Sequence, residues 1–500
     1  MPAPAYFLGL DVDRAGLGLL VLAADGTVVA TLRRAYGSDA GAGLEPQDWW
    51  RAARTGIKEI LRRASLRPDQ IRCIGLTGDE ACVALAQDGK VLCAATLGPD
   101  PRATAQVEAM TRTVGQRNLL NLASGPATTS ATAVKLLWLR EREKRVWHDL
   151  AYVLPAKDFL RYRLTDTFTT DASDAAATLL FNPKTRSWSK QLLALLELNA
   201  SWLPAIAAGT QLSGRVSDSA ARDAGLQAGT PVVAGAGHAA AIAISAGVLH
   251  PGAAVIELGG HGSLFAPTPE AIKDPQGRLL STCHSLAGTW ALAANDLAGS
   301  ASLDWLMDHV LPAEVAQARR NQRDPLDLLA ELAAEVPPGS DGLVFIAPNA
   351  HPATSGFIGL EPRHGRGHLV RAVMEGGALA CAQALQALTD LKKTPETIHV
   401  SGPGAGNHLW CQILADVIDR PVTAHASIES AAHGAALLAS SAVGVFKGID
   451  EACNRLAKPK ATFNPRRAAT EVYAGIAPVV ARLPAAIAHA ISPEPDEVLS

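Results

Sequence analysis

The sequence predicts an α/β chain of two related lobes, and three observations carry that prediction. The chain runs to 500 residues, more than one hydrophobic core usually holds. Short β-branched runs alternate with helical periodicities along most of its length. A strand, a Gly-containing turn and a second strand occur once in each half: Phe7-Leu8-Gly9-Leu10-Asp11 with its turn, and Ala253 to Phe265 around Gly259-Gly260-His261-Gly262. That echo points to an internal duplication with a period far above that of solenoid repeats.

Composition narrows the class. Hydrophobic residues make up 48% and charged residues 19%, which describes an ordered globular chain. A formal net charge of −3 gives no reason to expect nucleic acid or an anionic membrane as partner. The 7 cysteines are scattered without a C-x-x-C pair, which favours a reducing cytoplasm and argues against structural zinc. No basic segment precedes the first apolar run, and Asp11 and Asp13 interrupt it, so it does not read as a signal peptide. Val232 to Leu249 is long enough to span a bilayer. Ala and Gly dominate it and gain little from lipid, so it reads as a buried strand and helix.

The elements follow in order. Tyr6 to Asp11 and Leu17 to Leu22 are strands flanking a polar turn at Asp13-Arg14-Ala15-Gly16; Asp25-Gly26 turns the chain into a third strand at Val28-Val29. Either this is an ordinary meander or its first turn holds a phosphate. Trp50, Ala53, Ile57, Ile60 and Leu61 recur at helical spacing across 49–64. Ile71 to Thr77 is a strand, and Val83–Ala86 pairs with Val91–Ala95 across Asp88-Gly89. Gly98 to Arg102 is too broken for regular structure. Ser130 to Trp147 is one helix, and 158–164 another. Thr169 to Asp174 reads either as a loop near a site or as the N-cap of a following helix.

Pro231-Val232-Val233-Ala234-Gly235-Ala236-Gly237-His238 is a strand, a two-glycine turn and a helix start, an arrangement that presents one side chain and several N–H groups to a ligand. Beyond it come strands at 253–258 and 263–265, helices at 303–310 and through 332, a strand at 342–346 and a loop at 348–355. A long helix covers 368–391, with Gly376, Ala380 and Ala384 permitting close packing. Strand 397–400 runs into Ser401-Gly402-Pro403-Gly404-Ala405-Gly406-Asn407. A helix carrying Trp410 to Val417, a strand at 421–422 and a helix at 429–438 follow, and 493–500 is a frayed acidic tail.

Several segments together carry a resemblance: Lys135-Leu136-Leu137-Trp138-Leu139-Arg140, Asp171-Ala172-Ser173-Asp174-Ala175, Leu297-Ala298-Gly299-Ser300, Arg371 to Gly376 and Trp410 to Val417. In this order and spacing the chain resembles the FGGY carbohydrate kinases, and within them the xylulokinases, from about residue 8 to 444. The resemblance implies two actin-like (ribonuclease H-like) domains, 1–248 and 249–500, with a ligand cleft between them. The first would hold the sugar and one phosphate hairpin, the second the other hairpin and the adenosine turn. It implies ATP and Mg²⁺, a ketose or polyol acceptor such as D-xylulose, and a cytoplasmic homodimer.

By the same resemblance, Asp11 would orient the metal. Asp13, Arg14, Gly259, Gly260, His261, Gly262, Gly299, Gly402, Gly404, Ala405 and Asn407 would contact nucleotide, and Asp79, Glu80, Asp100, Arg102 and His238 would contact the sugar. The family's Gly-Thr-Ser turn reads Asp13-Arg14-Ala15, its Gln-Met-His-Gly reads Asp79-Glu80-Ala81-Cys82, and His238 stands where a catalytic aspartate is expected. A histidine can serve as general base near neutral pH. The alternative is a member that binds sugar or nucleotide without transferring phosphate.

Overall fold

The computed structural model describes residues 5–14, 16–36, 44–123, 125–259, 262–295, 297, 300–347, 355–425 and 429–491. Gly260, His261 and Gly299, and the expected tail and most of the 348–355 loop, lie outside the described residues. The chain divides into two compact units: Met1–Ala254 with Phe265–Ala293 and Ser427–Lys458, and Val255–Leu264 with Ala294–Ala426 and Pro459–Ser500.

In the first unit, β1 (Tyr6–Asp13), β2 (Gly16–Ala23) and β3 (Val28–Arg34) form the expected antiparallel meander. Helix α1 (Pro46–Arg63) leads to β4 (Ile71–Gly78), which lies parallel to β1. The sheet order is Leu212–Arg215, Pro231–Val233, β4, β1, β2, β3, and Ala236–Gly237 also pairs with β4. Both faces are covered, so β1 is apolar without alternation: Phe7, Leu8, Leu10 and Val12 are all fully buried. Trp49, Ala53, Ile57 and Ile60 of α1 pack with Leu8, Leu10 and Val12 in one core.

The other face carries helix Ser430–Ser441, and the approach there is close enough to dictate sequence. A Cβ at Gly9 would lie 1.9 Å from the Ala432 carbonyl oxygen, and one at Gly75 would lie 1.9 Å from that of Ala435. On the helix itself, a Cβ at Gly434 would lie 1.9 Å from the carbonyl oxygen of Ala241. This packing accompanies the assignment of Ser427–Lys458 to the first unit.

Four local expectations change. Val83–Leu85 pairs with Tyr152–Leu154 and keeps part of the expected hairpin as well: Leu85 bridges Val91, the Leu92 N–H donates to the Ala84 carbonyl at 3.0 Å, and the Ala86 N–H donates to that of Lys90 at 2.9 Å. Val83, Ala84, Leu85, Val153 and Leu154 are all buried. The helix expected over 130–147 is two, Thr132–Arg142 and Lys144–Asp149, broken at Glu143 (φ −118°, ψ 64°). Residues 104–122, unassigned from sequence, form helices Thr104–Val114 and Gln116–Leu122. Asp171 settles its own ambiguity: it caps helix Ala172–Ala177, accepting from the Ser173 N–H at 2.8 Å.

In the second unit, helix Arg366–Asp390 is flanked in sequence by strand Gly356–Ile358 and strand Thr397–Ser401. The latter runs parallel to Val422–Ala424, which pairs antiparallel with Ala461–Phe463. No described helix is long and apolar enough to cross a membrane.

Candidate functional site

Strand register in the first unit explains why distant residues converge. Asp11 sits opposite Thr77 and Val12 opposite Gly78, while Ala236 and Gly237 sit opposite the same Thr77 and Gly78. Three parallel segments therefore end level, and the next residues, Asp13, Asp79 and His238, emerge at one rim. The carboxyl ends of parallel strands are where α/β sheets hold ligands. His238 is the first residue of helix His238–Ser245. Its Nδ1 lies 3.8 Å from Asp11 Oδ1 and 3.9 Å from Asp79 Oδ1, with the side chain 19% exposed. The Arg14 N–H donates to Asp79 Oδ2 at 3.3 Å.

Asp13 turns into the same rim. Its Oδ1 accepts from the Gly16 N–H at 3.0 Å, and its Oδ2 pairs with Arg33 Nη1 at 2.6 Å. Burial pushes the Asp13 carboxyl up to about 7, and the neighbouring Asp11 and Asp79 charges push the same way while Arg33 opposes them. Arg33 also grips Glu429, through Nε to Oε1 at 2.9 Å and Nη2 to Oε2 at 2.7 Å. Glu429 fits only because Gly18 has no side chain; a Cβ there would lie 2.2 Å from its Oε2.

Behind the rim lies an ionic cluster that the sequence reading missed. Lys157 Nζ contacts Asp158 at 2.6 Å, Asp171 at 3.1 Å and Asp174 at 3.2 Å, and Arg161 Nη2 contacts Asp158 at 2.8 Å. Burial works against the Lys157 charge, but the three carboxylates hold it above the usual lysine range. Burial raises the Asp174 carboxyl well above its usual range, against the pull of Lys157 and with help from Asp158 and Asp171. The signal was present in the sequence: Lys157, Asp158 and Arg161 share one face of a helix that is otherwise mostly apolar on that side.

Asp100 and Arg102, expected at the sugar, are committed to each other. Arg102 donates to both Asp100 oxygens, at 2.9 and 2.8 Å, and its guanidinium lies 4.3 Å from the Trp138 ring centroid. Burial alone would raise the Asp100 carboxyl, but the Arg102 hydrogen bonds hold it below its usual range. Lys135 anchors the preceding loop, donating to the Gly98 and Thr96 carbonyls at 2.7 and 3.2 Å. Glu80 ties to that loop through its carbonyl, which accepts from the Gly98 N–H at 2.8 Å.

In the second unit two Gly-rich turns meet. The Gly404 N–H donates to the Leu258 carbonyl at 2.7 Å, and the Leu258 N–H donates to that of Ser401 at 2.9 Å. Gly402 (φ +86°) has no room for a side chain, since a Cβ would lie 2.7 Å from the Leu258 oxygen. Gly259 (φ +99°) abuts Gly404, and the Gly262 N–H closes its own turn by donating to the Gly259 carbonyl at 3.0 Å. Ala405 is buried. Asn407, expected to meet nucleotide, caps helix His408–Ile418: its Oδ1 accepts from the Trp410 N–H at 3.0 Å. The structure thus gathers Asp11, Asp13, Arg14, Asp79 and His238 in one unit and Gly259, Gly402 and Gly404 in the other.

A divalent cation fits at Asp11. Its Oδ1 is buried and has no hydrogen-bond partner among the described residues. Mg²⁺ binds through one or two carboxylates plus phosphates and water, so one such oxygen is the protein's share of a site.

Known proteins agree with this architecture. The N-terminal domain of the FGGY family of carbohydrate kinases matches residues 6–245, and the C-terminal domain matches 260–443. Xylulose kinase from Escherichia coli K12 is 28% identical over 485 residues, covering 92% of this chain and 97% of that protein. Autoinducer-2 kinase from Escherichia coli O139:H28 is 27% identical over 436 residues, covering 85% of this chain and 82% of that protein. The crystal structure of xylulose kinase from Rhodospirillum rubrum superposes with a TM-score of 0.82 at 28% identity, covering 97% of this chain and 99% of the other. With both halves of the chain matched in order, and the strand ends and glycine turns arranged as described, the protein belongs to the FGGY family of carbohydrate kinases.

Proposed function

We propose that the protein transfers the γ-phosphate of ATP to a hydroxyl of a ketose or polyol, D-xylulose or a close relative, with His238 as the proton acceptor. The observation that carries this reading is His238 Nδ1 lying 3.8 and 3.9 Å from the carboxylates of Asp11 and Asp79. Two carboxylates near Nδ1 favour the tautomer protonated there, which leaves the lone pair on Nε2 and raises its basicity. Asp79 stands where xylulokinases carry a neutral glutamine. The negative charge lost at 238 is therefore regained on the neighbouring strand end, and the site keeps an anion beside the base.

The phosphate side rests on backbone. The Gly259 to Gly262 turn and the Gly402 to Asn407 turn would cradle phosphate and adenosine through N–H groups, which do not need the hydroxyls that the family's turns carry. Asp11 would hold Mg²⁺, which when bound neutralises phosphate charge. The chain's own part is to position the acceptor hydroxyl and take its proton. Curated relatives of nearly equal identity are named for different acceptors, so identity does not choose between them.

A second reading, binding without transfer, is favoured by Asp13. A carboxylate in the first phosphate turn repels a triphosphate whenever it is ionised. A coupled assay over a panel of ketoses and polyols separates the two. The kinase reading expects turnover on at least one acceptor, lowered at least a hundredfold in His238→Ala, the usual scale of a general base. ATP binding by calorimetry with no turnover on any acceptor would replace it with the second reading.

A further inference from the structure

We propose that Ser173 and Arg161 are positioning residues that fix the His238 imidazole by clamping the turn before it. This deepens the kinase reading and rests on it for its catalytic consequence. The turn Ala234 to Gly237 is held at its first carbonyl and its last N–H. Arg161 Nη1 donates to the Ala234 carbonyl at 2.8 Å, and the Gly237 N–H donates to Ser173 Oγ at 2.9 Å. Those two groups bracket Gly235 and Ala236, and the next residue is His238. Gly235 itself (φ +82°) lies so close to β4 that a Cβ would be 2.1 Å from the Leu76 oxygen. The turn is thus pinned on the strand side and clasped on the helix side.

Each clasp is in turn held by the buried ionic cluster. Ser173 Oγ donates to Asp171 Oδ2 at 2.5 Å, which aims its lone pairs at Gly237. Asp171 Oδ1 lies 3.1 Å from Lys157 Nζ, and Arg161 is held by Asp158. Lys157, Asp158, Arg161 and Asp171 have fully buried side chains, and Asp174 is 3% exposed. Such a cluster is a poor way to gain stability, because apolar residues of equal volume generally do as well or better. What ionic groups supply and apolar groups cannot is direction. Here both outward-facing hydrogen bonds of the cluster end on the one turn that carries His238.

The test uses the full-length protein with Ser173→Ala and Ser173→Thr, with Asp171→Asn as a second route. Three quantities are measured: melting temperature, steady-state kinetics on the best acceptor, and the His238 imidazole ¹H–¹⁵N resonances, assigned by their loss in His238→Gln. Ser173→Ala is expected to lower kcat at least tenfold with the KM for ATP within twofold, and to shift the His238 resonances. Ser173→Thr, which keeps the hydroxyl, is expected to recover most of kcat and the original resonances. Asp171→Asn leaves Ser173 in place but loosens its hold, and is expected to shift the same resonances by less. Unchanged His238 resonances in both Ser173→Ala and Asp171→Asn would overturn the proposal. If no acceptor is phosphorylated by the unaltered protein, the kinase reading fails, and the imidazole resonances alone decide whether the clamp positions His238.

Discussion

The two candidate regions are made of opposite materials. In the first unit the rim is side-chain chemistry: Asp11, Asp13, Asp79 and His238, with Arg33 and Glu429 tied in. In the second it is largely backbone: Gly259, Gly402 and Gly404, held by close approach and turn conformation beside a buried Glu257 that accepts from Ser263 Oγ at 3.1 Å. A backbone cradle tolerates drift at every position that is not a glycine. A side-chain site changes its chemistry with each substitution. That fits the glycines kept at Gly259, Gly402 and Gly404, whereas the first phosphate turn and the base position have both changed their charges.

The largest expected effect tests the dependence of the first region on buried charge. Lys157→Ala would leave Asp158, Asp171 and Asp174 without their shared cation in a fully buried site. Breaking a buried ion pair from one side costs about 3–5 kcal/mol. Urea unfolding should show that loss in the first transition that involves this unit, unless the variant fails to fold at all. A loss under ~1 kcal/mol would mean that water reaches the cluster and that its charges are screened.

A smaller effect is expected from the matching experiment in the second unit. Gly402→Ala forces a side chain into a backbone conformation (φ +86°, ψ 175°) open essentially to glycine alone, which costs about 1–3 kcal/mol, and brings a Cβ to 2.7 Å from the Leu258 oxygen. The turn must shift to relieve that contact, carrying the Gly404 N–H with it. Calorimetry should show ATP affinity reduced at least tenfold, with binding of the sugar unchanged. Equal loss for both ligands would mean that the substitution acts through global stability and not through the cradle.

These two experiments also mark what the sequence could and could not reveal. The meander, the strand at β4 and the glycine turns were legible because each rests on local rules: alternation or continuous apolar runs, Asp-Gly turns, and glycine where the backbone needs φ above zero. The convergence of Asp79 with His238 was reached only through the family resemblance, not from any local pattern. It follows from pairing Gly78 with Gly237, a register between strands about 160 residues apart that no local pattern encodes. The pairing of Asp100 with Arg102 was hidden for a related reason. Their side chains are two residues apart and satisfy each other, which a list of polar residues near a loop does not show. The placement of helix Ser430–Ser441 on β1 and β4 was written in Gly9, Gly75 and Gly434, but only as missing side chains, and such spaces are visible only after the partner is in place.

The smallest effect concerns Asp13, the residue that most sets the first phosphate turn apart from a backbone cradle. Burial, with Asp11 and Asp79 nearby, lifts its carboxyl to about 7, so near neutral pH it is half ionised. An unfolded aspartate ionises near 3.8. Between those values the folded protein holds a proton that the unfolded chain has lost, so the contribution of Asp13 to stability falls as pH rises and levels off above about 7. From pH 6 to pH 8 the ligand-free protein should lose about 1 kcal/mol relative to Asp13→Asn, measured by urea unfolding. ATP affinity should move in the same direction: weaker at pH 8 than at pH 6 by several-fold in the unaltered protein, because the ionised carboxylate faces the triphosphate, and nearly flat in Asp13→Asn. Affinity in the unaltered protein that follows the same pH course as in Asp13→Asn would show that the Asp13 charge does not change across this range, with Arg33 holding it ionised.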